Sequence, residues 1–167
     1  DSPMSRGLGD VYKRQKTIGL LTTRGFRDVL EIARQTRPHL YDYEVTRPEP
    51  LARRAHRIEI PERVAVDGHV LTPLDLEAVE EGATRLREAG VDAVAICFLH
   101  AYRFPDHERK AGEIVRRILP NAFVSLSSDV LSEFREYERS STTAVNAYIG
   151  PRMKSYIGQF DNRTVSY

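Results

Sequence analysis

Apolar positions along this chain follow two rhythms, short runs suited to strands and three-to-four-residue stripes suited to helices, and the two alternate from one end to the other. Thr17 to Thr23, TIGLLTT, predicts a buried strand ending in two hydroxyls. Gly25 to Gln35 places Phe26, Val29, Leu30 and Ala33 at helical spacing, and Arg37-Pro38 ends the helix, because proline disfavours α geometry in the preceding residue. Leu40 to Arg54 carries Pro48 and Pro50 with little periodicity and predicts an extended connection. His56 to Val66 alternates, with Ile58, Ile60, Val64 and Val66 on one strand face, interrupted at Pro61. Asp67-Gly68 is the strongest hairpin signal, returning through His69 to Leu71. Thr72 as N-cap, Pro73 at the first helical position and Asp75 in a capping-box place open the next helix. Leu76, Val79, Ala83 and Leu86 form its apolar face and Gly90 closes it. Val91 to Leu99 is a nearly continuous apolar strand, as expected where both faces are covered. Pro105 starts a helix with Ala111, Ile114, Val115 and Ile118 inward, and Pro120 stops it before a strand over Ala122 to Leu126.

The stretch from Ser125 to Pro151, SLSSDVLSEFREYERSSTTAVNAYIGP, organises the rest. It turns through Ser127, Ser128 and Asp129 into a helix with Ser132 as N-cap, where Glu133 and Glu136 oppose the positive end of the helix dipole. Phe134, Tyr137, Ser141, Ala144, Val145, Tyr148 and Ile149 predict one buried stripe. Arg135, Glu138, Thr142 and Asn146 form a second stripe, flanked by Arg139 and Thr143. Ser140 to Thr143 are poor helix formers, since short hydroxyls compete for backbone hydrogen bonds and β-branching restricts χ1. Arg135, Glu138, Arg139, Thr142 and Asn146 are therefore candidates for contact with substrate or with a facing domain, against the plainer reading of a solvated face in which Glu136 pairs with Arg139.

Strand–helix alternation predicts an α/β fold with a mixed, largely parallel sheet, flanking helices and an antiparallel hairpin addition around Asp67. With 41% hydrophobic residues the chain can build a core. The 25 basic and 24 acidic residues nearly cancel, which argues against nucleic acid or an anionic membrane as partner. No apolar run approaches the roughly 20 residues that span a bilayer. The single Cys97 excludes an internal disulfide and any multi-cysteine metal cluster, and a cytoplasmic protein is the expected reading.

Candidate chemistry is sparse. Thr22 and Thr23, before Arg24-Gly25-Phe26, place hydroxyls between a strand and a helix start, where they could help cradle the anionic part of a cofactor, or simply cap a turn. Cys97 reads as a packed, inert thiol and His100 as a hydrogen-bonding residue just past the same strand. His107 lacks an H-x-x-x-H partner, so no metal site is expected. Neither a Walker loop nor a G-x-G-x-x-G loop is present.

Three stretches in order, GLLTTRGFRDVLEIARQTRPHLYD (Gly19 to Asp42), DAVAICFLHAYRFPDHE (Asp92 to Glu108) and the Ser125 to Pro151 stretch, resemble the N-terminal domain of the hydantoinase A/5-oxoprolinase family; that family often has Pro where Ser132 stands. The resemblance implies a lobe of an actin-like, ribonuclease-H-like ATPase within an A-type subunit that hydrolyses cyclic amides such as 5-oxoproline or a hydantoin. It implies ATP with Mg²⁺ to activate the ring amide, and a hydantoinase B-type subunit or domain as partner. The related acetone/acetophenone carboxylase branch is the enzymatic alternative, and a lobe that only docks domains or subunits is the non-enzymatic one. The family's two phosphate motifs, the first resembling D-x-G-G-T, would lie before Lys16 and beyond Pro151, so tight ATP binding is not expected here.

The ends of the chain carry a different signature. Asp10 to Gln15, DVYKRQ, is the translation of GAT GTG TAT AAG AGA CAG, which resembles the end of a transposon-based sequencing adapter, and Ser5 to Gly9 continue it upstream. Val165 to Tyr167 fit the complementary strand. The expected division is thus an adapter-derived tail over 1–15, the hydantoinase/oxoprolinase N-terminal domain over 16–163 and a second tail over 164–167.

Overall fold

A computed structural model describes residues 17–36 and 49–164, so the expectations for the tail over 1–15, the Arg37-Pro38 helix stop and Val165 to Tyr167 lie outside the described residues. The strands are β1 (Ile18–Thr23), β2 (Arg57–Ile60), β3 (Arg63–Val64), β4 (Val70–Thr72), β5 (Ala93–Cys97) and β6 (Phe123–Leu126). The helices are α1 (Val29–Ile32), α2 (Leu76–Glu88), α3 (Asp106–Ile118), α4 (Ser127–Val130) and α5 (Glu136–Thr164). A four-stranded parallel sheet in the order β2–β1–β5–β6 forms the centre, and β3 and β4 pair antiparallel beside it. The mixed α/β class with a parallel sheet, flanking helices and a hairpin addition is as the alternation predicted.

Successive strand residues face opposite sides of the sheet, so each strand feeds two cores. On one side Leu21, Ile58, Ile60, Val94, Ile96 and Leu126 meet Val79, Ala83 and Leu86 of α2 and Ala111 and Val115 of α3. On the other, Ile18, Leu20, Ala93, Ala95 and Cys97 meet Leu30 of α1 and Ala147 of α5. The central strands β1 and β5 are buried at every position, which explains why their sequences run apolar without alternation.

Several local expectations are corrected. The predicted helix over Gly25 to Gln35 shrinks to Val29–Ile32, followed by Ala33 and Gln35 at positive φ, a conformation that cannot continue a right-handed helix. The alternating segment over His56 to Val66 is two strands in two sheets. Beyond Pro61 the chain leaves the main sheet, and Val66 is 58% exposed where a single strand would have buried it. The hairpin turn stands as predicted: Gly68, at φ +95, donates its N–H to the Ala65 carbonyl at 3.0 Å. Thr72 belongs to β4, and Asp75 is the N-cap of α2, its carboxylate accepting from Ala78 N at 3.0 Å.

The largest correction concerns α5. Ser127 to Asp129 form part of α4 rather than a turn, and α5 begins only at Glu136. Ser132 does not cap it; its hydroxyl donates to the Ser128 carbonyl at 2.9 Å, four residues back, so it terminates α4 instead. The buried face is also rotated. Ala144 is buried and Tyr137 and Tyr148 pack against the core as expected, but Arg139, Ser140, Thr143 and Ala147 are buried too, whereas the expected Phe134, Val145 and Ile149 are 65%, 42% and 44% exposed. The strand surface beneath is built from Ala93, Ala95 and Cys97, and it admits small side chains at close range. Gly150 marks the limit, since a Cβ there would lie 2.4 Å from the Phe123 ring.

Candidate functional site

In the order β2–β1–β5–β6, the chain leaves β1 for the strand on one side and leaves β5 for the strand on the other. A crevice therefore opens between their carboxyl ends, the usual ligand position in an open parallel sheet. In this lobe it is lined by Thr22, Phe26, Cys97, Phe98, Arg139 and Ser140, and only about 10 Å³ remains, room for no more than one water.

Arg139 fills it. Its Nη2 donates to the Phe98 carbonyl at 2.6 Å, its Nη1 to the Glu133 carbonyl at 3.0 Å, and its Nε points at Cys97 Sγ, 3.5 Å away. The guanidinium also stacks over Tyr102, 5.5 Å from the ring centroid. One side chain thus ties the end of β5, the 131–135 connection and α5 together. Arg139, expected beside an exposed stripe and in reach of Glu136, is 1% exposed. Ser140 donates to the same sulfur at 3.1 Å, and burial pushes the Cys97 thiol up, opposed by Arg139 and Ser140, so the thiol stays protonated and inert as the sequence suggested.

Two buried carboxylates that sequence reasoning missed close the same end of the sheet. Thr23 donates its hydroxyl to Glu62 Oε1 and accepts from Leu99 N at 2.9 Å. Glu62 Oε2 lies 2.8 Å from His107 Nδ1, within hydrogen-bond distance. Glu108 accepts from Phe98 N and Ser128 N, both at 2.9 Å, and from the Ser127 hydroxyl at 2.5 Å. Burial raises its carboxyl above the ordinary range, and the hydrogen bonds from Ser127, Phe98 and Ser128 pull the other way. The signal for both was present. Glu62 continues the inward parity of Ile58 and Ile60, and Glu108 lies three residues before Ala111 on the inward stripe of α3. His100 is the hydrogen-bonding residue expected, its Nδ1–H donating to the Val64 carbonyl at 2.8 Å, with its backbone at φ 59.

The remaining candidates do not converge. Thr22 and Thr23 are 3% and 1% exposed, and the Thr23 hydroxyl is already engaged on both sides. Arg135 and Thr142 are exposed, and Arg135 lies over its neighbour Phe134. Glu138 pairs with Arg34 of the segment after α1, and its carboxyl is held below the ordinary range first by a hydrogen bond from its own backbone and then by the one from Arg34. Asn146 donates to the Ser125 hydroxyl at 2.8 Å, joining α5 to β6. Among the described residues no group of His, Cys, Asp and Glu is placed to hold a metal, and no helix is long and apolar enough to cross a membrane. The crevice does not fit ATP, because Arg139 occupies it and the hydroxyl that could meet a phosphate is committed to Glu62.

Residues 9–119 match the hydantoinase/oxoprolinase N-terminal region. The chain belongs to this family. Caprolactamase subunit alpha of Pseudomonas jessenii is 40% identical over 153 residues, covering 90% of this chain and 22% of that protein. The 5-oxoprolinase of Saccharomyces cerevisiae is 32% identical over 164 residues, covering 82% of this chain and 12% of that one. The crystal structure of the ATP-dependent caprolactamase superposes with a TM-score of 0.83 at 38% identity over 92% of this chain and 23% of that one. The nucleotide-free acetone carboxylase superposes at 0.80 and 25% identity, over 93% and 24%. Both solved relatives are ATP-dependent enzymes, in line with the ATPase lobe that the resemblance implied, and this family member spans less than a quarter of each.

Proposed function

We propose that this chain is the N-terminal lobe of an A-type subunit whose complete form hydrolyses cyclic amides at the expense of ATP, as hydantoinases and 5-oxoprolinases do. The observation that carries this reading is the likeness to caprolactamase subunit alpha, in sequence and in fold over nine-tenths of the chain. A ring amide is stabilised by resonance and yields slowly to water, so coupling to a nucleotide is chemically apt. The nucleotide, with Mg²⁺, is held by the rest of the subunit, because the crevice of this lobe is occupied by its own Arg139. The lobe contributes its outer surface, where the exposed Arg135 and Thr142 would meet substrate or a facing domain. A second, hydantoinase B-type subunit belongs to the same reading, supported by the word "subunit" in the relative's name. A cytoplasmic location completes it, in keeping with a lone buried thiol.

The test is phosphate release by the complete subunit with its partner, with and without caprolactam, 5-oxoproline or hydantoin. Release is expected to rise at least about tenfold with one of these rings, equivalent to about 1.4 kcal/mol in the barrier. Stimulation by acetone with bicarbonate and by none of the rings would overturn the reading in favour of the carboxylase branch, which the fit to acetone carboxylase keeps in view. ATP turnover that responds to no substrate would leave only a docking role.

A further inference from the structure

The outer side of α5 is built as an interior surface. At about 100° per residue, Val145 and Ile149 lie almost opposite the inward Ala147, and Met153 continues their row one turn on. These three side chains are 42%, 44% and 51% exposed, while Ser140, Thr143, Ala144 and Ala147 on the opposite side are buried against the sheet. Val145, Ile149 and Met153 thus point away from the core that Ala147 joins and that Tyr137 and Tyr148 border. A helix apolar on both sides belongs between two layers, and the described residues supply only one.

Length points the same way. The 29 residues of α5 span about 43 Å at 1.5 Å per residue, against about 20 Å for the six residues of β1. The far half of the helix therefore runs past the sheet. The missing hydrogen bond at Pro151, whose nitrogen cannot donate to the Ala147 carbonyl, weakens that half further unless packing supports it.

We infer that the Val145–Ile149–Met153 face is covered, in the complete subunit, by polypeptide that follows this region in the same chain. The inference rests on the reading proposed above. The matched family is an N-terminal region, and the chain covers 22% of caprolactamase subunit alpha, so most of such a subunit lies on the carboxyl-terminal side of α5. A segment tethered there meets the face at an effective concentration in the millimolar range, which a separate subunit or a second copy does not have. The occupant has an apolar face of its own.

Thiol labelling tests this without reference to ATP or amide hydrolysis, so its failure and that of the proposed activity are distinguishable. In the 167-residue chain the one native cysteine, Cys97, is buried, and in the complete subunit the label is assigned to position 149 or 81 by peptide mass mapping. Ile149→Cys is compared with Glu81→Cys, on an exposed position of α2, using a maleimide. In the 167-residue chain both are expected to label at similar rates. In the complete subunit without its partner, Ile149→Cys is expected to slow at least about tenfold against the control. Unchanged labelling in the complete subunit, or slowing only when the partner subunit is added, would overturn the inference. Slow labelling already in the 167-residue chain, with sedimentation as a dimer, would assign the face to a second copy instead.

Discussion

The two faces of the sheet are packed by different rules. Against α2 and α3 the core is made of large branched residues: Leu21, Ile58, Val79, Leu86, Ile96 and Val115. Against α5 the strand residues Ala93, Ala95 and Cys97 meet Ala147, with Thr143 and Ser140 beside them, and larger residues (Ile18, Leu20, Leu30, Tyr137 and Tyr148) surround this small-residue centre. Large side chains set helices back from a sheet and bury apolar area; small ones bring backbones close and leave polar groups to be satisfied at short range. The second face accordingly carries the Arg139 tether, the two hydrogen bonds to Cys97 Sγ and the Asn146–Ser125 bond. A helix held by small residues and polar ties can then turn Val145 and Ile149 outward.

That contrast can be broken at specific residues. Leu86 is 1% exposed and touches the open backbone of Gly19, so Leu86→Ala leaves a cavity with nothing to collapse into it. It should cost about 2–5 kcal/mol of unfolding free energy, read from denaturant midpoints at constant slope. Arg139→Ala, on the other face, strands the Phe98 and Glu133 carbonyls and should cost about 3 kcal/mol. Arg139→Lys should recover only part of this, since one ammonium cannot span both acceptors as the planar fork does. Midpoints unchanged in both Arg139 variants would return this residue to the surface role first expected of it.

Overpacking reverses the sense of the first experiment. Ala147 is fully buried beside the small strand residues, and Ala147→Leu should destabilise by about 1–3 kcal/mol although it adds apolar area. A stabilised Ala147→Leu variant would mean that the face has spare room. The smallest effect expected is in pH dependence. Glu108 has its carboxyl raised by burial, so the folded state binds this proton more tightly than the unfolded chain does. The stability linked to that proton is fully present below the ordinary carboxyl value and is lost as pH rises through the raised one. Glu108→Gln should remove this component and flatten the midpoint across that interval; an unaltered slope would place the effect elsewhere.

The same contrast explains what could be read from the sequence. The strands and α2 and α3 were legible because large apolar residues both mark a core position and fill it, as Val79, Ala83 and Leu86 do. In α5 those two properties separate. Val145 and Ile149 signal burial by type, while Thr143 and Ala147 achieve it by size, so the predicted stripe holds at Tyr137, Ala144 and Tyr148 and fails at Val145, Ile149 and, ahead of the helix, Phe134. Ser132 failed as a cap for a related reason: its hydroxyl found the Ser128 carbonyl behind it before an amide ahead of it. Arg139 was invisible as a core residue, because nothing local announces that two backbone carbonyls wait for a guanidinium. Glu62 and Glu108 were readable by parity, being charged residues in otherwise apolar rows. The hydroxyls of Thr22 and Thr23, placed by the sequence near an anion, lie instead at a sealed strand end.

The central proposal is that the complete subunit holds its nucleotide outside this lobe, whose crevice is filled by Arg139. Isothermal titration of Mg-ATP into the 167-residue chain tests it most directly. The account predicts no saturable heat at micromolar concentrations. Stoichiometric binding with a Kd in the low micromolar range would contradict it.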